Sequence, residues 1–472
     1  MKKINFGQKE LIHFVGIGGI GMSGLAQIMK NMGFRIQGSD QNKNKNTISC
    51  SKVGIKVFIG HSKKNVKSST ILVKSSAIKN NNSEIKYARA KKIPVYSRAD
   101  VLADVVSLKK NIIITGSHGK TTTTSLVSKI LSDQKLDPTI INGGVINSLN
   151  SNAKLGRGDW AILEADESDG SFLKLPVNYS VVTNIDNEHI DYYKNLKNLE
   201  NSFIKFIEKT PPTGKSIICL DSKKIKQIFS KIKNKNILTY GESKNANYQI
   251  LNIRYKINYS IFDLKYKDIK KKTKIIRNVQ LKLLGKHNVL NAAASIAVCL
   301  NLGVDQIIIK KSLKKFSGVQ RRMTKIFSKG KNDFYDDYAH HPTEISSTLE
   351  GVKNVYKNRK IISIFEPHRY SRVLSLKKEF SKSFVKSNIV LLCPLYAAGE
   401  KRNSKYNKSD FAKLISKSSN TQVIVIKNYY DIEKYLKKNL IKNEIVIGMG
   451  AGSISRYMRG LKTILWALYT NY

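Results

Sequence analysis

Two short glycine-rich runs carry the residue types that bind phosphate. In "HFVGIGGIGMSG", Gly16, Gly18, Gly19 and Gly21 follow the apolar run Leu11–Val15, precede a helical pattern, and are followed by Asp40. That is the spacing of a dinucleotide-binding turn. Its glycines let the backbone close on a pyrophosphate, the helix N-terminus supplies amide donors, and the acid reaches a ribose. In "IIITGSHGKTTTT", Gly116, Ser117, His118 and Gly119 lead from a β-type run into Lys120, Thr121 and Thr122. Backbone amides there would face phosphate oxygens, Lys120 would reach the β- and γ-phosphates, and the Thr121 hydroxyl would bind Mg2+. Two residues separate the glycines, so the loop is shorter than the common GxxxxGK[ST] form.

Magnesium takes oxygen ligands and keeps several waters, so it needs few protein groups. "AILEADESDGSF" offers Glu164, Asp166, Glu167 and Asp169 at the end of a strand-like run, where α/β proteins place ligands. "VVTNIDNEHIDYY" ends another such run with Asn184, Asp186, Glu188 and His189. A single histidine is more often structural than functional, and His189 gains interest only from its neighbours in the pattern.

The elements that must position these residues alternate along the chain. Up to about residue 108, short apolar runs (Leu11–Val15, Phe34–Gln37, Lys56–Ile59, Thr70–Val73) alternate with amphipathic stretches, which predicts a parallel β/α sheet. Ser97 and Asp100 form a capping box for a helix leading into the next segment. From 109 to 318, strands are expected at Asn111–Thr115, Trp160–Glu164, Ser180–Asn184 and Ser216–Leu220, with a lysine-rich antiparallel excursion over Ser243–Gln280. From 319 to 472, strands are expected at Lys360–Phe365, Asn388–Cys393, Gln422–Ile426 and Glu444–Met449. The fold class is α/β, in three domains: 1–108, 109–318 and 319–472.

With 472 residues and 41% hydrophobic side chains, the chain can build several cores. No eighteen-residue apolar run and no signal-peptide core occur, so a soluble cytoplasmic protein without membrane insertion is expected. Cys50, Cys219, Cys299 and Cys393 are scattered and form no CxxC pair, which suggests neither disulfides nor zinc. The net charge of +49 would suit nucleic acid, but the lysines are spread through every segment with few interleaved aromatics. Lys, Asn and Ile are inflated together, as A/T-rich codons would do, so no nucleic-acid partner is expected.

Read in order, these runs together with "GKHNVLNAAA", "FSGVQRR", "DDYAHHPTE", "EPHRYSR", "YAAGE" and "GMGAGSI" resemble the Mur ligases, the ATP-dependent amide-bond formers of peptidoglycan synthesis. The resemblance covers nearly the whole chain. It implies a Rossmann-like N-terminal domain holding the UDP of a UDP-sugar, a central P-loop ATPase domain, and a C-terminal Rossmann-like α/β domain holding an amino acid. The first glycine loop then faces a diphosphate without any nicotinamide, with Asp40 and His61 near the nucleoside end. Lys120 resembles the phosphate-binding lysine, and Thr121, Glu164 and His189 the magnesium-site residues. Asn288, Asn291, Arg322 and Asp337 resemble ATP-contacting positions, and His340, His368, Arg369 and Arg372 those that hold the amino acid and acyl substrate. Ala339 and Ser117 stand where glycine and threonine are usual.

The resemblance implies that ATP phosphorylates the lactyl carboxylate of UDP-N-acetylmuramate and that L-alanine then attacks the acyl phosphate, with His340 a candidate proton acceptor. Closure of the third domain would exclude water. A monomer or weak homodimer is expected. Three alternatives stay open: a ligase that recycles a tripeptide onto the same sugar nucleotide, a basic nucleic-acid-dependent NTPase, and a noncatalytic sugar-nucleotide-binding protein. "DESDGSF" and "HRYSR" favour alanine, and the first glycine loop has no place in a nucleic-acid-dependent NTPase.

Overall fold

The computed structural model describes residues 10–440 and 443–466. The chain divides into two compact units. One runs through Ile253 and adds Ile261–Lys282 and Leu290–Ser317; the other comprises Arg254–Ser260, Leu283–Val289 and the chain from Gly318 onward. The first unit contains the N-terminal sheet and most of the second.

The N-terminal sheet has five strands in the order Lys56–Ile59, Arg35–Asp40, Leu11–Val15, Ile71–Lys74, Val95–Ser97, all parallel. Leu11–Val15 lies in the middle, and the strand order reverses beside it. The loop that leaves its carboxyl end therefore opens at a topological switch point, where such sheets bind ligands. Helix Ile20–Asn31 follows and buries Met22, Leu25, Ala26 and Met29, one stripe at helical spacing. Gly38, opposite Phe14 in the sheet, leaves the space that Ile17 of the glycine loop fills. The capping box at Ser97 forms as expected: Asp100 N–H donates to Ser97 Oγ at 3.3 Å, and Ser97 N–H donates to the Asp100 carboxylate at 3.2 Å.

The second sheet has ten strands. Lys110–Thr115 lies between Tyr179–Val182 and Trp160–Glu164, parallel to both. Parallel neighbours send their following loops to one edge, so the segments after Thr115, Glu164 and Val182 come together. Tyr179–Val182 stops before the expected Asn184 because that residue serves the loop after Thr115. Asn184 accepts the Ser117 N–H on its carbonyl and the His118 N–H on its side chain. Helix Lys120–Asp133 opens with four threonines, a poor helix-forming run. All four are buried, so packing rather than propensity holds that turn. Tyr248–Lys256 and Tyr259–Lys267, sheet neighbours joined by two residues and hence antiparallel, and Thr273–Leu281 supply the expected excursion.

Within this unit the two sheets are tied together. Asn152 Nδ2 donates to the Ile20 carbonyl at 2.8 Å, and Lys174 pairs with Asp100 at 2.7 Å. Asn152 belongs to the hairpin Thr139–Ile146/Ser151–Lys154, which the sequence pattern did not reveal because Asn142, Gly143 and Gly144 break its alternation.

The second unit holds a six-stranded sheet in the order Thr324–Lys329, Asn332–Asp337, Glu444–Met449, Lys360–Phe365, Ile389–Leu392, Gln422–Val425. Its first pair is antiparallel and the rest parallel. One core cluster gathers Leu349, Phe380, Phe384 and Phe411, and another Ile432, Leu436, Met458 and Leu461. No helix among the described residues is long and apolar enough to cross a membrane.

Gly38→Ala tests the packing under the first glycine loop. A Cβ there would lie 2.6 Å from the Phe14 carbonyl oxygen and 2.7 Å from the Ile17 side chain. Overpacking of this kind costs about 1–3 kcal/mol. Thermal unfolding should show a lowered first transition, and an unchanged midpoint would refute the close packing.

Candidate active site

At the N-terminal cradle, Gly16 adopts φ +84° and its N–H, with that of Ile17, donates to the Ser39 carbonyl. Gly18 N–H donates to Asp40 Oδ2 at 2.8 Å, so Asp40 braces the loop itself. A Cβ at Gly18 would lie 2.7 Å from that oxygen. Gly19 caps the helix without any side-chain acceptor, which leaves the first amides to another partner. Arg98, which motif reading missed, lies against Gly21: a Cβ there would be 3.0 Å from its Nη1. His61 follows the strand beside Asp40 and is nearly buried, its Nδ1 3.0 Å from Ser39 Oγ.

The second cradle is built the same way. Gly116 (φ +130°) and Gly119 (φ +84°) have no room for a side chain, since a Cβ would fall 2.2 Å from Thr183 Oγ1 and 2.4 Å from Asn291 Oδ1 respectively. Asn291 is thereby placed against the loop. Gly119 caps helix Lys120–Asp133, again without a side-chain acceptor. The His118 ring lies 3.1 Å from the Asp186 carboxylate, and Ser117 Oγ accepts the Asp186 N–H at 2.8 Å. Lys120 Nζ donates to the carbonyls of Gly116 (2.6 Å) and Ser117 (3.3 Å) and sits 2.8 Å from Glu167, whose side chain is buried. Burial alone would lower the lysine pKa, but Glu167, Asp166 and Glu164 raise it, so the ammonium stays charged.

Thr121 Oγ1 donates to Glu164 Oε1 at 3.1 Å, and the Gly143 N–H donates to Oε2 at 2.6 Å. His189 lies beside Glu167. Its Nε2 is 3.5 Å from Glu167, and Asp166, Glu167 and His189 bring ligand atoms within 4.8 Å of one another. Burial lowers the His189 pKa, but Glu167 and Glu188 outweigh it and raise it. Both groups are dominated by carboxylate and hydroxyl oxygens at a phosphate cradle, the donor chemistry that suits Mg2+. Asp169 turns away and accepts the Ser171 N–H.

In the second unit, Asp337 accepts the N–H groups of Met323 and Ala339, both at 2.7 Å. Burial outweighs Arg322 and these two donors and moves its pKa up to about 6. Arg322 pairs with Glu344 at 3.3 Å and lies over the Tyr338 ring beside Arg321. Asn288 donates to the Leu284 carbonyl at 2.7 Å. His340 Nδ1 lies 2.9 Å from the Tyr338 carbonyl and 3.2 Å from Glu344. The His340 and His368 rings meet edge to face at 5.7 Å, and His368 stacks on Tyr396. Arg372 reaches His368 Nδ1 at 3.3 Å. Arg369 is exposed with φ +67°, a left-handed backbone held by its N–H donating to the Tyr396 carbonyl at 2.9 Å. Burial, then Arg372, depresses both histidines, His340 to about 3 against the opposing Glu344 and His368 to about 4.

Family models for the Mur ligase family catalytic domain, the Mur ligase middle domain and the Mur ligase glutamate ligase domain match residues 11–110, 114–299 and 321–452. A UDP-N-acetylmuramate–L-alanine ligase of Pelagibacter ubique is 54% identical over 98% of this chain and 100% of its own length. One from Bartonella bacilliformis is 40% identical over 98% of this chain and 97% of its own. The crystal structure of the Thermotoga maritima UDP-N-acetylmuramate–alanine ligase superposes with a TM-score of 0.82 at 28% identity, covering 97% of this chain and all of that one. A murein peptide ligase of Psychrobacter arcticus shares the fold at TM-score 0.71 and 22% identity, covering 97% of this chain and 98% of that one. The chain belongs to the Mur ligase family and has its three-domain architecture.

The depressed histidines have a measurable consequence. The folded state holds both imidazoles neutral, so below the ordinary value of 6.5 the unfolded chain binds protons that the folded chain does not. Their contribution to stability is therefore present at neutral pH and is lost progressively as pH falls from 6.5 through 4 and 3. NMR titration should show the ring signals of His340 and His368 flat between pH 8 and about 5. A midpoint near 6.5 for either would overturn the assigned environment.

Proposed function

We propose that this member of the Mur ligase family is an ATP-dependent ligase that joins L-alanine to the lactyl carboxylate of UDP-N-acetylmuramate in peptidoglycan precursor synthesis. The observation that carries the reading is the pair of glycine cradles at the carboxyl ends of parallel strands in two sheets, in a chain whose relatives at 54% and 40% identity are named UDP-N-acetylmuramate–L-alanine ligases. The first cradle would hold the UDP diphosphate, with Gly16–Gly21 and Arg98 facing it and Asp40 bracing the loop. The second would hold ATP, with Asn291, Asn288, Arg322 and Asp337 completing its contacts. We take the domains as 1–108, 109–318 and 319–472, and the protein as a cytoplasmic monomer or weak homodimer.

The chemistry proceeds in two displacements. A carboxylate oxygen of the sugar attacks the γ-phosphorus of ATP, and ADP leaves. Lys120 gives up part of its contact with Glu167 to the transferring phosphoryl group and offsets its charge there. Thr121 and Glu164, with His189, would hold Mg2+, which when bound neutralises phosphate charge. The alanine nitrogen then attacks the acyl carbon, the bond to the phosphate oxygen breaks, and inorganic phosphate leaves. Alanine arrives as an ammonium and must lose a proton first. His340 is the candidate acceptor by geometry, since the Tyr338 carbonyl takes the Nδ1–H and leaves the lone pair on Nε2, but its depressed proton affinity makes it a weak base until the surrounding charge changes. Arg369 and Arg372 offer planar forks for the alanine carboxylate and the acyl phosphate.

Phosphate release from ATP in the presence of UDP-N-acetylmuramate should require L-alanine. Tripeptide and RNA should fail to replace it, and release driven by tripeptide would instead make this a recycling ligase. Lys120→Ala should abolish turnover yet keep UDP-N-acetylmuramate binding in calorimetric titration, because the two cradles are separate. Loss of that binding in the folded variant would contradict the assignment.

Arg369→Lys should raise the L-alanine requirement roughly ten- to a hundredfold, as expected for loss of a charge-assisted hydrogen-bond pair. The requirements for ATP and UDP-sugar should stay nearly unchanged. Steady-state kinetics with each substrate varied in turn decides, and an unaltered alanine dependence sinks the role.

A further inference from the structure

Glu84, in the first turn of helix Ser83–Ala90, is fully buried, yet it lies in neither glycine loop. Its Oε1 accepts the Asn65 side-chain amide at 2.7 Å and the Ser62 N–H at 3.2 Å. Its Oε2 accepts the Ser39 hydroxyl at 2.5 Å and faces His61 Nδ1 at 3.3 Å and His13 Nε2 at 3.4 Å. Burial opposes ionisation of this carboxyl, but the donors from His13, Ser39 and Asn65 outweigh it and hold the pKa down to about 2. It is thus a carboxylate, an acceptor only.

A buried acceptor of this kind fixes the protons around it. His13 Nε2 faces the Glu84 carboxylate, which can only accept, so the His13 proton sits on Nε2 and points at Glu84. The Ser39 hydroxyl proton is committed to Glu84, which leaves Ser39 Oγ an acceptor toward His61 Nδ1 at 3.0 Å. Both groups facing His61 Nδ1 are therefore acceptors, and the His61 proton is placed on Nδ1. The opposite nitrogen, Nε2, has no protein partner among the described residues, and the ring keeps 7% of its surface exposed. His61 follows Gly60, whose N–H donates to the Asp40 carbonyl at 2.8 Å, so it stands at the carboxyl edge of the sheet next to the first glycine loop.

We infer that Glu84 is a positioning residue for nucleotide binding: it locks His61 as the Nδ1–H tautomer, so that Nε2 presents a lone pair to a hydrogen-bond donor of the nucleoside. The inference rests on the reading of the N-terminal cradle as the UDP site. It explains why a fully buried acid is surrounded by five donors from three different segments. The same second layer behind a histidine fixes tautomers in metal and catalytic sites.

Two measurements on the full chain test it. Imidazole nitrogen-15 shifts of the unaltered protein at neutral pH should show His61 protonated at Nδ1 and bare at Nε2, with Nε2 shifting when UDP is added. The Nε2–H tautomer, or no response to UDP, overturns the inference. Calorimetric titration with UDP then compares Glu84→Gln, His61→Ala and the double variant. Glu84→Gln should weaken UDP roughly tenfold, as for one lost hydrogen bond. The double variant should be no weaker than His61→Ala alone, because one residue acts through the other. Unchanged affinity in folded Glu84→Gln, or penalties that multiply, refutes positioning while leaving the UDP site in place. Failure of the unaltered protein to bind UDP removes the site and the inference together. If Glu84→Gln does not fold, the nitrogen shifts alone decide.

Discussion

The contact between Lys120 and Glu167 organises the first unit's chemistry. A lysine ammonium mostly removed from water needs a counter-charge, and Glu167, itself buried, supplies one at 2.8 Å. The same ammonium holds the Gly116 and Ser117 carbonyls, so the pair also fixes the shape of the loop. Their carbonyls turn toward the lysine and the Ser117 and His118 amides toward Asn184, so the uncapped helix start is the part of the cradle that faces anions. Phosphate can then take over part of the role of Glu167 without the loop having to form on arrival. Tyr193 strengthens the arrangement from behind, its hydroxyl donating to the Glu167 carbonyl.

Sheet topology makes this pairing possible. Lys120 and Glu167 come from loops after two adjacent parallel strands, and Asn184–His189 from the loop after the strand on the other side. Three segments far apart in sequence therefore converge without any long connection crossing the site. The polar residues after Val182 are spent on the cradle: Thr183 and Asn184 both donate to the His118 carbonyl, and Asp186 meets the His118 ring. His189 follows in the left-handed region, φ +58°, and its ring lies beside Glu167.

Much of this was legible in the sequence because glycine spacing and strand periodicity are local signals. Both loops, the carboxylate run after Trp160–Glu164 and most strands of the three sheets can be read from a few consecutive residues. What escaped depends on contacts between distant segments. Glu84 has no motif of its own, and its partners His13, Ser39, His61 and Asn65 share no spacing that would single them out. Arg98 reads as an ordinary first-turn residue until the fold sets it against Gly21. Glu344 reads as a helix-start acid, yet it faces both Arg322 and His340. The hairpin from Thr139 to Lys154 was hidden for a different reason: its Gly143 is demanded by the Glu164 carboxylate, which a Cβ would meet at 2.3 Å. A local rule fails there because a site residue needs the space.

The two units also solve opposite electrostatic problems. The chain has 34 acidic against 83 basic side chains, so acids clustered in one place are a selective arrangement. Glu164, Asp166 and Glu167 gather around Lys120 in the first unit, where a net negative pocket would attract a divalent cation along with its phosphates. In the second unit the balance inverts. Arg369 and Arg372 lie around His368, and the positive field of Arg372, added to burial, keeps His340 and His368 unprotonated. A cationic surround thus does two things at once. It offers partners to anionic carboxylate and phosphate groups, and it lowers the proton affinity of the imidazoles, which keeps them neutral at the cost of making them weak bases. Replacing Arg372 by a neutral residue would weaken both effects together, which ties anion holding and imidazole neutrality to one charge.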